Sequence, residues 1–173
     1  KAFRKDVSMA WLGKPDAGEG FTPDLKGMAS AHAENYVAAL NALGVCVFRT
    51  ASNPMIIPFE LLCRAYTAVT GLSLSADELY TVGERIYNIE KAFNSRLGLR
   101  RKDDRLCQRW MEEPATWGPG KGMKVGDYFE ILLDEYYDYH GWDKKSSLQT
   151  RQKLLALELE EVAAVLAREG ALA

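Results

Sequence analysis

The sequence predicts an all-α fold. Apolar residues recur at spacings of three and four in several separate segments, no segment alternates apolar and polar residues as a strand would, and Gly/Pro clusters punctuate the gaps between segments. At 173 residues, 47% hydrophobic and 27% charged, the chain has the makeup of one ordinary globular domain. A chain of that length buries roughly two-thirds of its unfolded surface without metal or disulfide support.

Residues 1–28 carry six glycines and prolines, as in LGKPDAGEGFTPDLKG, with no sustained period, and read as a loop or linker segment; the helical domain then runs over residues 29–173. Its first helix spans ASAHAENYVAALNALG. Ala33, Tyr36, Val37, Leu40 and Leu43 share a face, Ser30 is the expected N-cap and Gly44 the stop. VCVFRTASNPMIIP is too short and too punctuated for a long helix. Pro58 suits the first turn of the next helix, FELLCRAYTAVTG, which holds Cys63. Ser75 and Glu78 form a capping box for a helix over residues 76–96, in which Leu79, Val82, Ile86, Ile89, Phe93 and Leu97 are the expected apolar face.

RLGLRRKDDRLCQRWMEEPATWGPGKG reads as a long connecting loop, a kind of segment that often lines binding sites or meets other subunits. Val125, Phe129, Leu132, Tyr136 and Tyr139 mark a further helix ending near Gly141. The last segment, SLQTRQKLLALELEEVAAVLAREG, reads as helix broken near Leu157–Leu159.

A net charge of -2, from 22 basic and 24 acidic residues, gives no overall electrostatic case for nucleic acid or an anionic membrane. No apolar stretch approaches the roughly 20 residues that span a bilayer, and the N-terminus lacks a signal peptide's apolar region, so a cytoplasmic protein is expected. Three widely spaced cysteines, Cys46, Cys63 and Cys107, suit reduced thiols or ligands better than a disulfide framework. The opening on Lys1 rather than methionine is expected of a processed chain or of a piece of a longer one.

Few residues carry chemistry by pattern. His32 and His140 have no companion at ligand spacing, and a surface or helix-end role is expected for each. GKGMKVG lacks the strand-to-helix context of a phosphate loop. Packing accounts for the Tyr128, Tyr136, Tyr137 and Tyr139 cluster. Arg100, Arg101, Lys102, Asp103, Asp104, Arg105 and Arg109 read as a solvated, internally paired loop, with an anion-orienting or docking loop as the sharper alternative. A lone cysteine such as Cys46 is usually a small buried hydrophobe. Its place just past a helix stop, however, lets backbone amides turn toward its sulfur as they do toward cluster thiolates.

Four stretches, in order, carry a family resemblance: NALGVCVF, GERIYNIEKAFNSRLGLRRKDDRLCQRW, LLDEYYDYHGWDKKS and LQTRQKLLALELEEVA. Together they resemble the C-terminal helical domain of the tungsten-containing aldehyde ferredoxin oxidoreductase family, from about residue 29 onward. The resemblance implies an irregular helical domain at the end of a three-domain enzyme whose first domain is β-rich. In that family a D-x-x-G-L-C motif supplies an acidic group to the pterin and a fourth cysteine to a 4Fe-4S cluster, the other three coming from C-x-x-C-x-x-x-C upstream. On that pattern Cys46 is the metal-cluster ligand, and Asn41, Gly44 and Val45 are cofactor-binding positions.

Two residues depart from the pattern. Asn41 replaces the acidic group and gives up the charge-assisted part of the hydrogen bond. Cys107 stands where the family commonly has proline and is given no ligand role. The implied reaction is oxidation of an aldehyde to the carboxylic acid, with electrons passing from a tungsten- or molybdenum-bis-pterin through the 4Fe-4S cluster to ferredoxin. The partners implied are the remaining domains of the enzyme, ferredoxin and the aldehyde. One cysteine cannot hold a four-iron cluster, so the isolated domain is expected to be inactive and free of tungsten. Two alternatives stand beside this reading: the tungsten subunit of a reductase acting on an aromatic acyl-CoA, and a cofactor-free helical interaction module.

Overall fold

The computed structural model describes residues 8–9, 12–18, 22–47, 57–118 and 120–173. Most of VCVFRTASNPMIIP, whose helix-breaking character the sequence suggests, lies outside the described residues. Within them the chain is helical. Seven α-helices with described bounds follow in order among these residues: α1 (Lys26–Ala42), α2 (Phe59–Thr70), α3 (Ala76–Arg96), α4 (Gln108–Glu112), α5 (Phe129–His140), α6 (Arg151–Ala156) and α7 (Glu160–Arg168). No strand occurs among the described residues; an isolated antiparallel bridge joins Trp142 to Gln149. No helix among them is long and apolar enough to cross a membrane.

α1 is the central rod, packed against α3 on one side and α5 on the other. It approaches α3 closely because Gly83 has no side chain: a Cβ there would collide with the Asn35 carbonyl oxygen. The start of α1 differs from the sequence expectation. It begins at Lys26 rather than near Ser30, because its first amides are satisfied from a distant helix. Glu135 of α5 accepts from Leu25 N at 2.8 Å and Gly27 N at 3.1 Å. A carboxylate brought in by tertiary packing thus replaces the local N-cap.

α3 has the bounds and the cap read from the sequence. Glu78 N donates to Ser75 Oγ at 3.2 Å, and Ser75 N donates to Glu78 Oε2 at 2.8 Å. Its buried face differs from the expected one. Leu79, Gly83, Asn88, Lys91, Ala92 and Ser95 face inward, whereas Ile89, Phe93 and Leu97 are 49%, 61% and 65% exposed. The apolar face therefore turns outward over the second half of the helix.

Two apolar clusters flank a polar middle. Tyr36, Ala39, Leu40, Phe59, Leu62, Cys63 and Leu79 form the first, between α1, α2 and α3. Ala92, Leu154, Ala163, Leu166 and Ala171 form the second, where α6 and α7 close over the end of α3. The break expected near Leu157–Leu159 separates α6 from α7. The expected long loop after α3 holds a 3₁₀ turn at Arg101–Asp103 and the short α4.

Candidate functional site

The four residues singled out by the D-x-x-G-L-C pattern lie at the C-terminal end of α1, and the way that helix ends fixes where they point. Gly44 adopts φ +69°, a conformation glycine takes without strain. Gly44 N donates to Asn41 O at 3.0 Å and Val45 N to Leu40 O at 3.1 Å, the paired bonds of a Schellman turn. Leu43, Val45 and Val47 then pack against the first apolar cluster. Cys46, between two inward residues, is left exposed, and Asn41 is exposed on the last turn of the helix.

The expectation that a lone cysteine here fills the core therefore fails for Cys46 and holds for Cys63. Cys63 is 5% exposed within the first cluster, and burial, with Glu60 and Glu78 nearby, pushes its thiol up from the ordinary range. The amides of Leu43, Gly44 and Val45 do not turn toward the Cys46 sulfur; each bonds back to a carbonyl of the preceding segment. The helix end presents partial negative charge instead, a field that opposes rather than supports a thiolate. Among the described residues nothing lies within 4 Å of where a Cβ on Gly44 would sit, which leaves its backbone open to close approach on that side. Among the described residues no three His, Cys, Asp or Glu side chains come together to hold a metal. Cys46 can supply one thiolate there, and any further ligand would have to come from outside the described residues. Cys107, given no ligand role, is exposed at the start of α4.

A second set of polar residues, which pattern did not single out, fills the middle of the domain. Tyr136 donates to Glu34 Oε2 at 2.7 Å, and the Tyr87 and Tyr136 hydroxyls lie 2.7 Å apart. Asn88 Oδ1 accepts from Trp142 Nε1 at 3.0 Å and from Gln149 Nε2 at 2.8 Å. His140, for which a surface or helix-end role is the sequence expectation, ends α5 but is fully buried. Its ring stacks on Trp142 at 4.3 Å and on Tyr87 at 5.2 Å; its Nε2 stands 3.8 Å from Glu34 Oε2, and among the described residues neither ring nitrogen has a hydrogen-bond partner. Burial holds its pKa below the usual imidazole range. His32 is half-buried, stacked on Tyr80 and hydrogen-bonded through Nδ1 to the Tyr139 hydroxyl at 2.8 Å, and burial lowers its pKa to about 4.

The charged loop after α3 is paired within itself in part, Arg100 N donating to Asp103 Oδ2 at 2.9 Å and Arg109 bridging to Glu113 at 3.0 Å, and is tied to the fold elsewhere. Arg101 binds Glu130 and Asp134 of α5, each at 2.6 Å, and lies over the Tyr137 ring. Asp104 accepts from Tyr137 Oη at 2.6 Å and stands 3.8 Å from the Lys91 ammonium. The signal available in sequence was the spacing of Tyr136, Tyr137 and His140 along α5 opposite polar Asn88 and Lys91 on α3. It becomes readable only once the inward side of α3 is known.

Fold and site together define a multihelical domain that presents one surface cysteine from a capped helix end. A family model described as aldehyde ferredoxin oxidoreductase, domains 2 & 3, matches residues 2–159, and the chain belongs to the aldehyde ferredoxin oxidoreductase family. The tungsten-containing aldehyde ferredoxin oxidoreductase of Pyrococcus horikoshii is 35% identical over 133 residues, covering 74% of this chain and 20% of the relative. That of Thermococcus kodakarensis is 33% identical over 129 residues, covering 72% of this chain and 20% of the relative. The chain thus spans about a fifth of the length of the curated relatives it matches. Among solved structures, the active site complex BamBC of benzoyl coenzyme A reductase, in complex with 1,5 dienoyl-CoA, matches with a TM-score of 0.68 at 24% identity. That match covers 88% of this chain and 22% of the other, and it establishes likeness of fold.

Proposed function

We propose that the chain is the C-terminal helical part, with its helical domain beginning at α1, of a cytoplasmic tungsten-containing aldehyde ferredoxin oxidoreductase. In it Cys46 is one ligand of a 4Fe-4S cluster. The observation that carries the reading is the exposure of Cys46 at the Schellman-capped end of α1, in a chain of this family. When bound, the tungsten-pterin and the cluster would supply oxidation of an aldehyde to its acid and electron transfer to ferredoxin.

The chain's own residues hold and orient. Cys46 contributes a thiolate. Asn41 meets the pterin edge through an amide that both donates and accepts, weaker than a carboxylate by the missing charge. Gly44 lets the backbone approach the ring, and Val45 locks the turn by its amide bond and its packing. The outward stripe of Ile89, Phe93 and Leu97 is the surface against which the enzyme's other domains pack, in keeping with a chain that spans a fifth of its relatives. Three cysteines free of disulfides suit a reducing compartment.

The test is Cys46→Ser in the full-length gene product purified without oxygen. Loss of iron, and of the broad visible absorbance of a 4Fe-4S cluster, is expected. Iron content and absorbance equal to those of the parent protein would remove Cys46 from the ligand set.

A further inference from the structure

The polar middle of the domain opens to one side as a pocket of about 130 Å³, lined chiefly by Tyr87, Lys91, Leu99, Asp104, Tyr136 and Trp142. A cavity of about 150 Å³ holds a benzene ring, so this one suits a molecule of a few heavy atoms. Exposed Glu90, Asn94 and Leu99 lie at its rim and give access from solvent.

Lys91 is 9% exposed, so its ammonium is largely removed from water. Its contacts are loose for a charged group. Ser147 Oγ is 3.3 Å away and Asp104 Oδ2 3.8 Å, against about 2.7–2.9 Å for a good charge-assisted bond, and the Trp142 ring centroid lies at 5.0 Å. Burial lowers the lysine's pKa, Asp104 opposes that effect and Arg100 adds to it. Desolvation beside a second cation is the setting in which lysine amines become nucleophiles toward carbonyl groups.

We propose that Lys91 is a carbonyl-trapping nucleophile that forms a Schiff base with small aldehydes entering this cavity. The free amine adds to the carbonyl carbon; the new N–C bond displaces the C=O π pair onto oxygen, which takes up a proton. Asp104, steadied by the Tyr137 hydroxyl, accepts the proton lost from nitrogen and returns it to the carbinolamine hydroxyl. That hydroxyl leaves as water as the nitrogen lone pair forms C=N. Free amine, aldehyde and the proton taken up at oxygen from solvent give a protonated imine plus water, with no change of oxidation state. Trp142 and Tyr136 supply an aromatic wall for the alkyl part. The proposal rests on the cavity and stands apart from any role of Cys46.

The test incubates the intact chain at pH 7 with propanal and cyanoborohydride, which fixes the imine as a propyl amine, followed by peptide mapping by mass spectrometry. Lys91 is expected to be propylated several-fold faster than exposed Lys102, Lys121 and Lys145. Lys91→Arg should abolish the fast phase, and Asp104→Asn should slow it, with far-UV circular dichroism showing that each variant is folded. Propylation of Lys91 no faster than of Lys102 in the unmutated chain, which needs no variant to fold, overturns the proposal. So does an unchanged rate in folded Asp104→Asn.

Discussion

The two halves of α3 bury opposite kinds of side chain. Toward its start, Leu79 packs into an apolar cluster with Leu40, Phe59 and Leu62, and Gly83 lets the α1 backbone close in. Toward its end, the same helix turns Asn88, Lys91 and Ser95 inward and leaves Ile89, Phe93 and Leu97 to solvent. In the first half, burial removes apolar area from water. In the second, Asn88 is matched by the Trp142 and Gln149 donors while Lys91 is held only loosely, and an amide or ammonium taken from water without partners is costly. An apolar stripe in sequence thus marks a surface to be covered, and does not say whether this domain's own core or a neighbouring surface covers it.

That contrast can be broken from either side by urea unfolding of variants. Leu40→Ala strikes the apolar half at a fully buried side chain, and a loss of about 2–5 kcal/mol is expected from lost burial plus the cavity left behind. Asn88→Ala strikes the polar half. It strands the Trp142 N–H and removes one of the two bonds of the Gln149 amide, which keeps the backbone carbonyl of residue 88, and about 1–3 kcal/mol of destabilisation is expected. A neutral Asn88→Ala would mean that the hydrogen bonds of the polar layer are not what holds it. Phe93→Ser sharpens the comparison at its smallest effect: in this chain a change within about 0.5 kcal/mol is expected for an exposed side chain. A loss as large as that of Leu40→Ala would place Phe93 in a buried contact and reverse the assignment of the two faces.

Much of the architecture was legible because its causes are local. The Ser75–Glu78 box, the stop at Gly44 and the break at Leu157–Leu159 each arise within a few residues of chain. What escaped has non-local causes. Glu135 caps α1 from more than a hundred residues away, so Ser30 looked like the start of a helix that begins at Lys26. His140 reads as a helix-end residue, which it is, but its burial comes from Tyr87 on α3 and Trp142 beyond the helix. The candidate site divides along the same line. The turn that exposes Cys46 is written in NALGVCVF, whereas the cavity around Lys91 forms only when α3, α5 and the loop carrying Asp104 meet.

Mechanically, α1 is a lever. Its 17 residues make a rod of about 26 Å, clamped at one end by Glu135, held along its length by the close crossing at Gly83, and carrying Cys46 just beyond the other end. A small tilt at the clamp becomes a displacement of the sulfur multiplied by the length of the arm. A carboxylate at the far end of the helix thus helps set the axis on which that thiol is carried.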